Sequence, residues 1–417
     1  MTLATSRAPL AVDLRPSGAV WPRQQLRQAV AAGWITAEEP IEERQFQPAS
    51  LDLRLGRRAY RVRASFLPGS ATVAERLASL AMYDFPLDQP EGAILEKGHV
   101  YIIPLLEGLR LPRGVRGKAN PKSTTGRLDI FTRVITDRGW KFEEIRAGYA
   151  GPLYLEVVPS SFTIRVRAGL SLNQLRLMEG DPSLSDDELV RLNEQCQLIL
   201  GPMGGRREVL LERGPHAATE PPGGRGEAVV DRGLYLSVDL TGRGSGGIIG
   251  YKAKRNSAVI DLARTDYYDP RDFWEPISSR EGRGGLILEP EEFLILASKE
   301  KVQVPPQFAA EMIAYDVTNG ELRTHYAGFF DPGFGYKPGA PGGPGTRAVL
   351  EVRAHEVPFQ IEDGQRFCKL VFERLTSPPD IAYGPELASA YQFQELTLSK
   401  QFRRDPAAGP AAPAGSR

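Results

Sequence analysis

Short apolar runs, several of them alternating with polar residues, recur along the chain. Alternation with a period of two is typical of a half-buried β-strand, and β-branched and aromatic residues favour strands. Glycine and proline separate the runs, with 43 and 34 copies respectively. The pattern predicts a mostly β protein, and its clearest runs are "SLDLRLG" (50–56), "AYRVRASF" (59–66), "HVYIIPL" (99–105), "PLYLEVV" (152–158), "FTIRVRAG" (162–169) and "LNQLRLM" (172–178).

Helical spacing is found in few places. The segment 21–33 has Pro22 in its first turn and Gly33 as a stop. The segment 185–200 begins with Ser185 followed three residues later by a glutamate, which is the spacing of a capping box. We therefore predict a few short helices among many strands.

The chain contains an internal repeat. Thirty residues from Gly92 align without gaps on thirty residues from Gly285, at a constant offset of 193. Further along, the "LEV" of "PLYLEVV" aligns with the "LEV" of "RAVLEV", which pairs Glu156 with Glu351. A repeat of this length indicates that one β domain has been duplicated.

The repeat sets the predicted domain boundaries. Residues 1–180 form the first β domain, with an N-terminal helix, and 229–403 form a second β domain. Residues 181–228 form a helix and a Gly/Pro-rich linker between them. The tail 404–417, "RDPAAGPAAPAGSR", has little apolar surface to bury and is predicted to be disordered.

Charge and hydropathy exclude several classes of partner. The 52 basic residues balance the 52 acidic ones, so no broad positive field is available to bind nucleic acid. No apolar run approaches the roughly 20 residues of a membrane span, and the N-terminus lacks the pattern of a signal peptide. We expect a cytoplasmic protein that binds neither nucleic acid nor membranes.

Metal-binding motifs are missing from the sequence. The two cysteines, Cys196 and Cys368, are far apart, and the four histidines show no ligand spacing. We therefore predict no zinc bound by the protein.

The two copies differ at one polar loop. Where the first copy has "PKSTTGR" (121–127), the second has "AYDVTNG" (314–320), which lacks the lysine, the arginine and two hydroxyls. Cationic and hydroxyl donors beside a glycine suit a phosphate chain. The alternative is a solvated polar turn, and the loop is not a Walker A motif, because Ala119 follows Gly117-Lys118.

Glu156 is a second candidate for chemistry. On an alternating strand it shares a face with Tyr154 and Val158. A carboxylate on a partly apolar face can have a raised pKa, as a general acid or base needs near neutral pH. The alternative is a solvent-facing strand glutamate, and the matching Glu351 indicates that part of the role is structural.

Four motifs in this order resemble the dCTP deaminase family, in its long, duplicated bacterial form. They are "FQPASLDLRLG" (46–56), "PKSTTGRLDIFTRVITDRG" (121–139), "AGYAGPLYLEV" (147–157) and "IRVRAGLSLNQLRL" (164–177). The resemblance implies a tandem of two dUTPase-like β barrels of the β-clip type. It also implies a homo-oligomer, a trimer or a related assembly.

The resemblance implies hydrolytic deamination of dCTP to dUTP and ammonia, without zinc and with a magnesium ion carried by the triphosphate. The dUTP would feed dUMP and dTTP synthesis. Two alternatives remain: a dUTPase-like or bifunctional enzyme that also cleaves the triphosphate, and a nucleotide-binding protein without turnover.

The resemblance also implies site residues. Glu156 would be the general base and acid on the water that attacks C4, assisted by Ser123 and Arg127. We expect at most one complete site per chain, because the second copy keeps "FDPGFG" but lacks the loop. The expected substrate-binding residues of the first copy are Lys122 and Thr124 of the loop, Val134 to Thr136 for the cytosine edge, and Asp137 for the deoxyribose. The second, degenerate copy would add Tyr391 and Gln394 from its C-terminal segment "SAYQFQELTLSK" (389–400), the closing segment, which would close over the phosphates of the nucleotide.

Overall fold

The structure is a computed structural model, and it describes residues 18–201, 209–211, 228–280, 284–314, 322–324, 328–338, 343–354, 357–387 and 389–404. Residues 202–208 and 212–227 of the predicted linker, residues 315–320 of the second-copy loop and the tail after Arg404 lie outside these residues. No helix among the described residues combines the length and the apolar character needed to cross a membrane.

The first half consists mainly of strands. Their bounds are β1 (Gly18–Val20), β2 (Ile35–Ala37), β3 (Leu51–Arg54), β4 (Arg58–Val62), β5 (Ala81–Pro86), β6 (Ala93–Leu95), β7 (Val100–Arg110), β8 (Val115–Pro121), β9 (Ile130–Thr136), β10 (Glu144–Ile145), β11 (Ala150–Pro159), β12 (Ile164–Val166) and β13 (Ser171–Gly180).

The second half also consists mainly of strands. Its strands are β14 (Ile199–Leu200), β15 (Val209–Leu211), β16 (Ala228–Val230), β17 (Leu234–Ser237), β18 (Ile248–Ala253), β19 (Ile260–Asp261), β20 (Trp274–Ser278), β21 (Leu286–Leu288), β22 (Phe293–Val302), β23 (Phe308–Ala314), β24 (Leu322–Thr324), β25 (Gly328–Phe330), β26 (Thr346–Ala354), β27 (Phe359–Ile361) and β28 (Arg366–Arg374).

The helices are short. They are α1 (Arg23–Ala31), α2 (Val73–Leu80), α3 (Ser123–Gly126), α4 (Asp186–Cys196) and α5 (Pro270–Phe273), with 3-10 turns at Glu43–Gln45 and Pro385–Leu387. The prediction of a mostly β chain with a few short helices is confirmed. The barrel type stays a prediction.

The helices differ from the predictions in two respects: one ends earlier than predicted, and one was not predicted. Helix α4 has the predicted capping box at Ser185 but ends four residues early, because Gln197 adopts a left-handed conformation with φ 53°. Helix α2 was not predicted, although Thr72 and Glu75 form a second capping box at its start. Its sequence is short and lies between strands, where the period-two pattern dominates.

Strand order is the same in both halves. In the first half one sheet runs β5-β4-β7-β11-β9 and the other pairs β3 with β13, β13 with β8 and β8 with β10. In the second half the corresponding orders are β20-β18-β22-β26-β24 and β17-β28-β23-β25. The repeat in the sequence is therefore a repeat of strand topology.

The halves are packed closely against each other. Strand β19 of the second half joins β12 and β6 of the first in one small sheet. Beside it Arg167 donates two hydrogen bonds to Asp261, both at 2.8 Å. The apolar core of the first half also takes in Trp274 and Phe402 of the second. The two halves therefore share an extensive contact.

Candidate active site

A cavity of about 440 Å³ lies where the two halves meet. The first half contributes the polar loop, residues 121–125 and Arg127, to its lining. The second half contributes 328–331 and Glu351, and the C-terminal segment closes one side with Tyr391, Gln394 and Lys400. The structure thus brings together six of the sequence-predicted residues of the loop and the C-terminal segment: Lys122, Ser123, Thr124, Arg127, Tyr391 and Gln394.

The loop is shaped by the end of β8. After Pro121 the chain turns into the single turn α3, and Thr125 Oγ1 donates to the carbonyl of Leu172 at 2.8 Å, which fixes the loop against β13. Lys122 forms an ion pair with Asp52 of β3. The side chain of Ser123 lines the cavity.

Arg127 connects the loop to the C-terminal segment. Its Nη1 donates to Gln394 Oε1 at 2.9 Å and to the carbonyl of Thr397 at 2.8 Å. The guanidinium carbon lies 3.8 Å from the ring centroid of Tyr391, whose hydroxyl shares a hydrogen bond of 3.0 Å with Thr124 Oγ1. Burial lowers the pKa of Arg127. The segment therefore lies directly on the loop.

Glu351 is the carboxylate of this cavity. It lies on β26 with 6% of its surface exposed, and burial raises its pKa to about 8, with Arg127 acting in the opposite direction and Asp129 in the same one. Among the described residues nothing forms a hydrogen bond with its carboxylate. Gly126 permits the close approach, because a Cβ there would lie 2.6 Å from Glu351 Oε1.

Asp331 is a second buried carboxylate in the lining. It follows β25, and burial raises its pKa to about 6, partly offset by Arg176, whose Nη2 lies 3.7 Å from Asp331 Oδ1. Behind it Phe330 and Phe334 form an edge-to-face pair with centroids 4.9 Å apart. The cavity thus combines two carboxylates of raised pKa with cationic and hydroxyl groups.

Glu156 does not lie at this cavity. It is fully buried on β11, where its Oε1 accepts hydrogen bonds from Arg133 Nε at 2.9 Å and Nη2 at 2.6 Å. The Arg133 guanidinium in turn stacks on Phe142 at 3.5 Å. The prediction that Glu156 faces the 122–127 loop is wrong within this chain, because the loop packs against the other half. The alternative of a solvent-facing glutamate is wrong as well.

Val134, Thr136 and Asp137 also lie away from the cavity. The first two are buried on β9, which pairs with β11. Asp137 Oδ1 accepts a hydrogen bond of 2.8 Å from the backbone of Val73, the first residue of α2. These residues serve the fold of the first half, and the predicted contact of Asp137 with a deoxyribose does not fit its position.

The hydrogen bonds show which turn corresponds to that of Asp331. Val304 N donates to the carbonyl of Phe334 at 2.8 Å, and in the first half Leu111 N donates to the carbonyl of Tyr149 at 2.8 Å. Phe334 and Tyr149 therefore occupy equivalent positions in the two halves. Asp331 lies three residues before Phe334, and the residue three before Tyr149 is Arg146. The first half therefore lacks the aspartate, and Asp137 resembles it only in the spelling of the motif.

The position of Asp137 gives a testable prediction. Asp137→Ala leaves the Val73 N–H at the start of α2 without its partner, so we expect the free energy of unfolding to fall by about 1 kcal/mol. Urea unfolding measures this. Because the cavity is untouched, kcat for the substrate should not change, and a large loss of kcat with unchanged stability would contradict this structural role.

Sequence reasoning missed Glu351 and Asp331 as site residues. Both carried a signal, since Glu351 is the repeat partner of Glu156 and Asp331 stands in an intact "DPGF" turn. Among the described residues no group of three or more His, Cys, Asp or Glu side chains is arranged to hold a metal ion.

Comparison with known proteins gives two family matches. The N-terminal domain of 2'-deoxycytidine 5'-triphosphate deaminase matches residues 17–181, and the C-terminal domain of the same enzyme matches residues 216–402. The two matches cover both halves that the structure shows.

Individual proteins agree with the family matches. The crystal structure of 2'-deoxycytidine 5'-triphosphate deaminase from Agrobacterium tumefaciens is 46% identical, with a TM-score of 0.75, and the match covers 86% of this chain and all of that one. A "dCTP deaminase, dUMP-forming" of Methanobrevibacter smithii is 30% identical over 157 residues, 35% of this chain and 75% of that protein. A "dCTP deaminase" of Ignicoccus hospitalis is 25% identical over 159 residues, 38% of this chain and 83% of that protein. The chain belongs to the dCTP deaminase family.

Proposed function

We propose that the protein hydrolyses the 4-amino group of dCTP in the cavity between its halves, giving dUTP and ammonia. The observation that carries this proposal is the buried Glu351 carboxylate, which lies against Gly126 at the end of the Ser123–Arg127 turn. A volume of about 440 Å³ is within the range of small-molecule sites. The family and its named relatives support the substrate.

Glu351 is the group that moves protons. It accepts a proton from water as the oxygen attacks C4 of the cytosine, and the proton goes to N3. A second transfer, from the new hydroxyl to the amine, releases ammonia and leaves the C4 carbonyl of dUTP. A carboxyl with a pKa near 8 suits both transfers near neutral pH, because its two protonation states are close in free energy.

Ser123 and Arg127 assist this step. A hydroxyl and a buried guanidinium beside the carboxylate orient the water and stabilise the charge that develops at the ring. The guanidinium is held by Gln394 and Tyr391, so it is oriented before the substrate enters. Because Arg127 also opposes the effect of burial on Glu351, it keeps the carboxylate form accessible.

The remaining lining groups bind the nucleotide. Lys122 and Thr124 lie in the loop for the phosphates, and Asp331 replaces Asp137 as the acceptor for a deoxyribose hydroxyl. We place no role at this cavity on Val134 or Thr136. The substrate enters as the magnesium complex of dCTP, since a triphosphate carries its ion with it and no side-chain cluster in the described part of the chain is arranged to bind one.

One chain supplies every group named here, so we propose one site per chain that does not depend on a partner subunit. A homo-oligomer, a trimer or a related assembly, stays a prediction, as does the cytoplasmic location.

A second candidate is a bifunctional enzyme that releases dUMP and pyrophosphate. It is favoured by Asp331, whose pKa near 6 leaves a carboxylate available at neutral pH to activate water at the α-phosphate. Relatives such as that of Methanobrevibacter smithii are named for dUMP formation.

Product analysis tests both candidates. We incubate the purified full chain with magnesium and dCTP and quantify ammonia, nucleotides and pyrophosphate. Ammonia with equal dUTP supports deamination alone, whereas ammonia with dUMP and pyrophosphate supports the bifunctional enzyme. Hydrolysis of added dUTP without ammonia from dCTP would identify a dUTPase, and binding without any product would overturn the enzymatic proposal.

A further inference from the structure

The cationic side chains that line the cavity differ in how they are used within the protein. Arg127 is bonded to Gln394 and Thr397, as described. Arg54 Nε donates to Glu107 Oε1 at 2.7 Å, and its terminal nitrogens donate to the carbonyls of residues 39 and 40. Lys122 is paired with Asp52. Each of these positive charges already has an acceptor in the fold.

Lys400 is the exception in this part of the structure. It lines the cavity, its side chain reaches solvent, and among the described residues its ammonium forms neither a hydrogen bond nor an ion pair. An ammonium has three donors and is strongly hydrated, so leaving it free at a cavity mouth preserves its capacity for a ligand.

The backbone holds Lys400 firmly in place. Its N–H donates to the hydroxyl of Tyr391 at 3.3 Å, and its carbonyl accepts from the N–H of Asp266 at 2.9 Å. Two residues further, Phe402 packs edge-on against Phe273 and Trp274, with centroids 5.4 Å and 6.0 Å apart. The backbone of Lys400 is therefore held on both sides, so less conformational entropy is lost when its side chain binds a ligand.

The charges around Lys400 define one end of the cavity. Burial lowers the pKa of Lys400, the neighbouring charges of Lys122 and Arg44 act in the same direction, and only Asp52 acts against them. Glu351, in contrast, is influenced by Arg127 and Asp129. Arg44 is paired with Glu42 and Lys122 with Asp52. Lys400 is thus the cation of this end whose charge an anionic ligand could pair.

We propose that Lys400 binds the end of the phosphate chain and makes the enzyme select the triphosphate over shorter nucleotides. This inference rests on the proposed function, because it places the base beside Glu351 and the phosphates toward Lys122. The ammonium of Lys400 would then contact the terminal phosphate of dCTP, the group that dCDP lacks. Lys400 is then a specificity-determining residue that takes no part in proton transfer.

The test compares nucleotides of different phosphate length. For Lys400→Met we expect kcat/KM with dCTP to fall by about 10- to 100-fold, the loss of one charge-assisted hydrogen bond, mainly through KM. With dCDP the change should be less than about 3-fold, since the contacted group is missing. Lys400→Arg should restore most of the preference for dCTP because it keeps the charge.

Arg403→Met is the matched control. It removes one positive charge three residues away, from an exposed side chain outside the cavity lining. The control should keep the wild-type ratio of dCTP to dCDP. Equal losses for both nucleotides in Lys400→Met, no loss for dCTP, or the same loss in Arg403→Met would each overturn the proposal.

A second measurement separates this inference from the proposed function. Calorimetric titration with inorganic tripolyphosphate requires no deamination, and we expect its affinity to fall in Lys400→Met and to persist in Arg403→Met. If the protein fails to deaminate dCTP while this difference holds, only the proposed function fails. If deamination is observed and the affinity for tripolyphosphate is the same in the wild type and in Lys400→Met, only the proposed role of Lys400 fails.

Discussion

Glu351→Gln is expected to lower kcat for dCTP deamination by roughly 10²- to 10⁴-fold, the range for loss of a general acid–base group. Glutamine has nearly the same shape, so it fits between β26 and Gly126, but it cannot accept a proton from water. The affinity for dCTP should stay close to that of the wild type. Ammonia release measures the rate, and calorimetry with dCTP measures binding.

The matched control is Glu156→Gln, because Glu156 occupies the corresponding place in the first half. This change weakens two hydrogen bonds from Arg133 in a buried site and should lower the free energy of unfolding by about 1–3 kcal/mol. Measured at a temperature where the variant is folded, kcat should remain close to the wild-type value. The reverse result, an inactive Glu156→Gln and an active Glu351→Gln, would contradict the assignment.

The raised pKa of Glu351 should make the stability of the protein depend on pH. The folded pKa of Glu351 is raised from 4.5 to about 8, so the folded protein binds its proton more tightly than the unfolded chain does. The resulting stability is fully present below pH 4.5 and is lost as the pH rises to about 8. Glu351→Gln lacks this dependence, so it should gain stability relative to the wild type over that interval. Denaturant unfolding at both ends of the interval tests the sign.

Catalysis should show the opposite trend with pH. Because the unprotonated carboxylate accepts the proton, kcat/KM rises with pH and levels off near pH 8. A flat profile over this range would show that Glu351 is not the base. A profile that rises for the wild type and for Glu156→Gln alike would further support the assignment.

Much of the fold followed from the periodicity and the repeat. Period-two runs such as 152–158 and 172–178 lie within β11 and β13, and the aligned stretches from Gly92 and Gly285 fold into the same succession of strands. Local patterning determines strands well because side chains alternate between faces. The sequence contains no comparable signal for the way in which the two halves face each other.

That missing information explains the error at Glu156. Both halves carry a glutamate in a "LEV" strand, and only the packing of the halves decides which of them meets the 122–127 loop. The loop residues were found because their chemistry is unusual for a turn and because the second copy lacks most of it, whereas Tyr391 and Gln394 followed from the resemblance to the family. Glu156 was assigned from its place on an alternating strand and from the resemblance to the family, and neither shows which half supplies the carboxylate in a site formed by two domains.

The error at Asp137 has a different physical origin. The segment 137–140 has the spelling of an Asp-x-Gly-aromatic turn, but its aspartate caps α2, a helix that the strand pattern concealed. Alignment of "AGYAG" (147–151) with "PGFGY" (332–336) in the two copies pairs Gly148 with Gly333, and both adopt the positive φ that such a turn requires, 69° and 97°. Giving the repeat precedence over the motif would have led to Asp331.

Arg127→Met is expected to lower kcat/KM by at least about 10²- to 10³-fold, since it removes a preorganised charge beside the reacting ring. Both kcat and KM should change, because the same guanidinium holds Gln394, Thr397 and the ring of Tyr391. The loss also leaves the acceptors of the closing segment without their donor. We therefore expect faster hydrogen exchange in residues 391–400 of the variant.

Two comparison variants divide this effect. Arg127→Lys keeps the charge but loses the planar guanidinium, which stacks on Tyr391 while its Nη1 donates to both acceptors, so it should recover part of kcat and little of the protection from exchange. Tyr391→Phe keeps the stacking and loses the hydrogen bonds of the hydroxyl with Thr124 and with the Lys400 N–H, so it should change kcat/KM by less than about 10-fold. If Arg127→Met retained full kcat while exchange in 391–400 increased, Arg127 would hold the segment without stabilising the reaction. The dependence of both quantities on one guanidinium follows from its position, buried between the loop of one half and the final segment of the other.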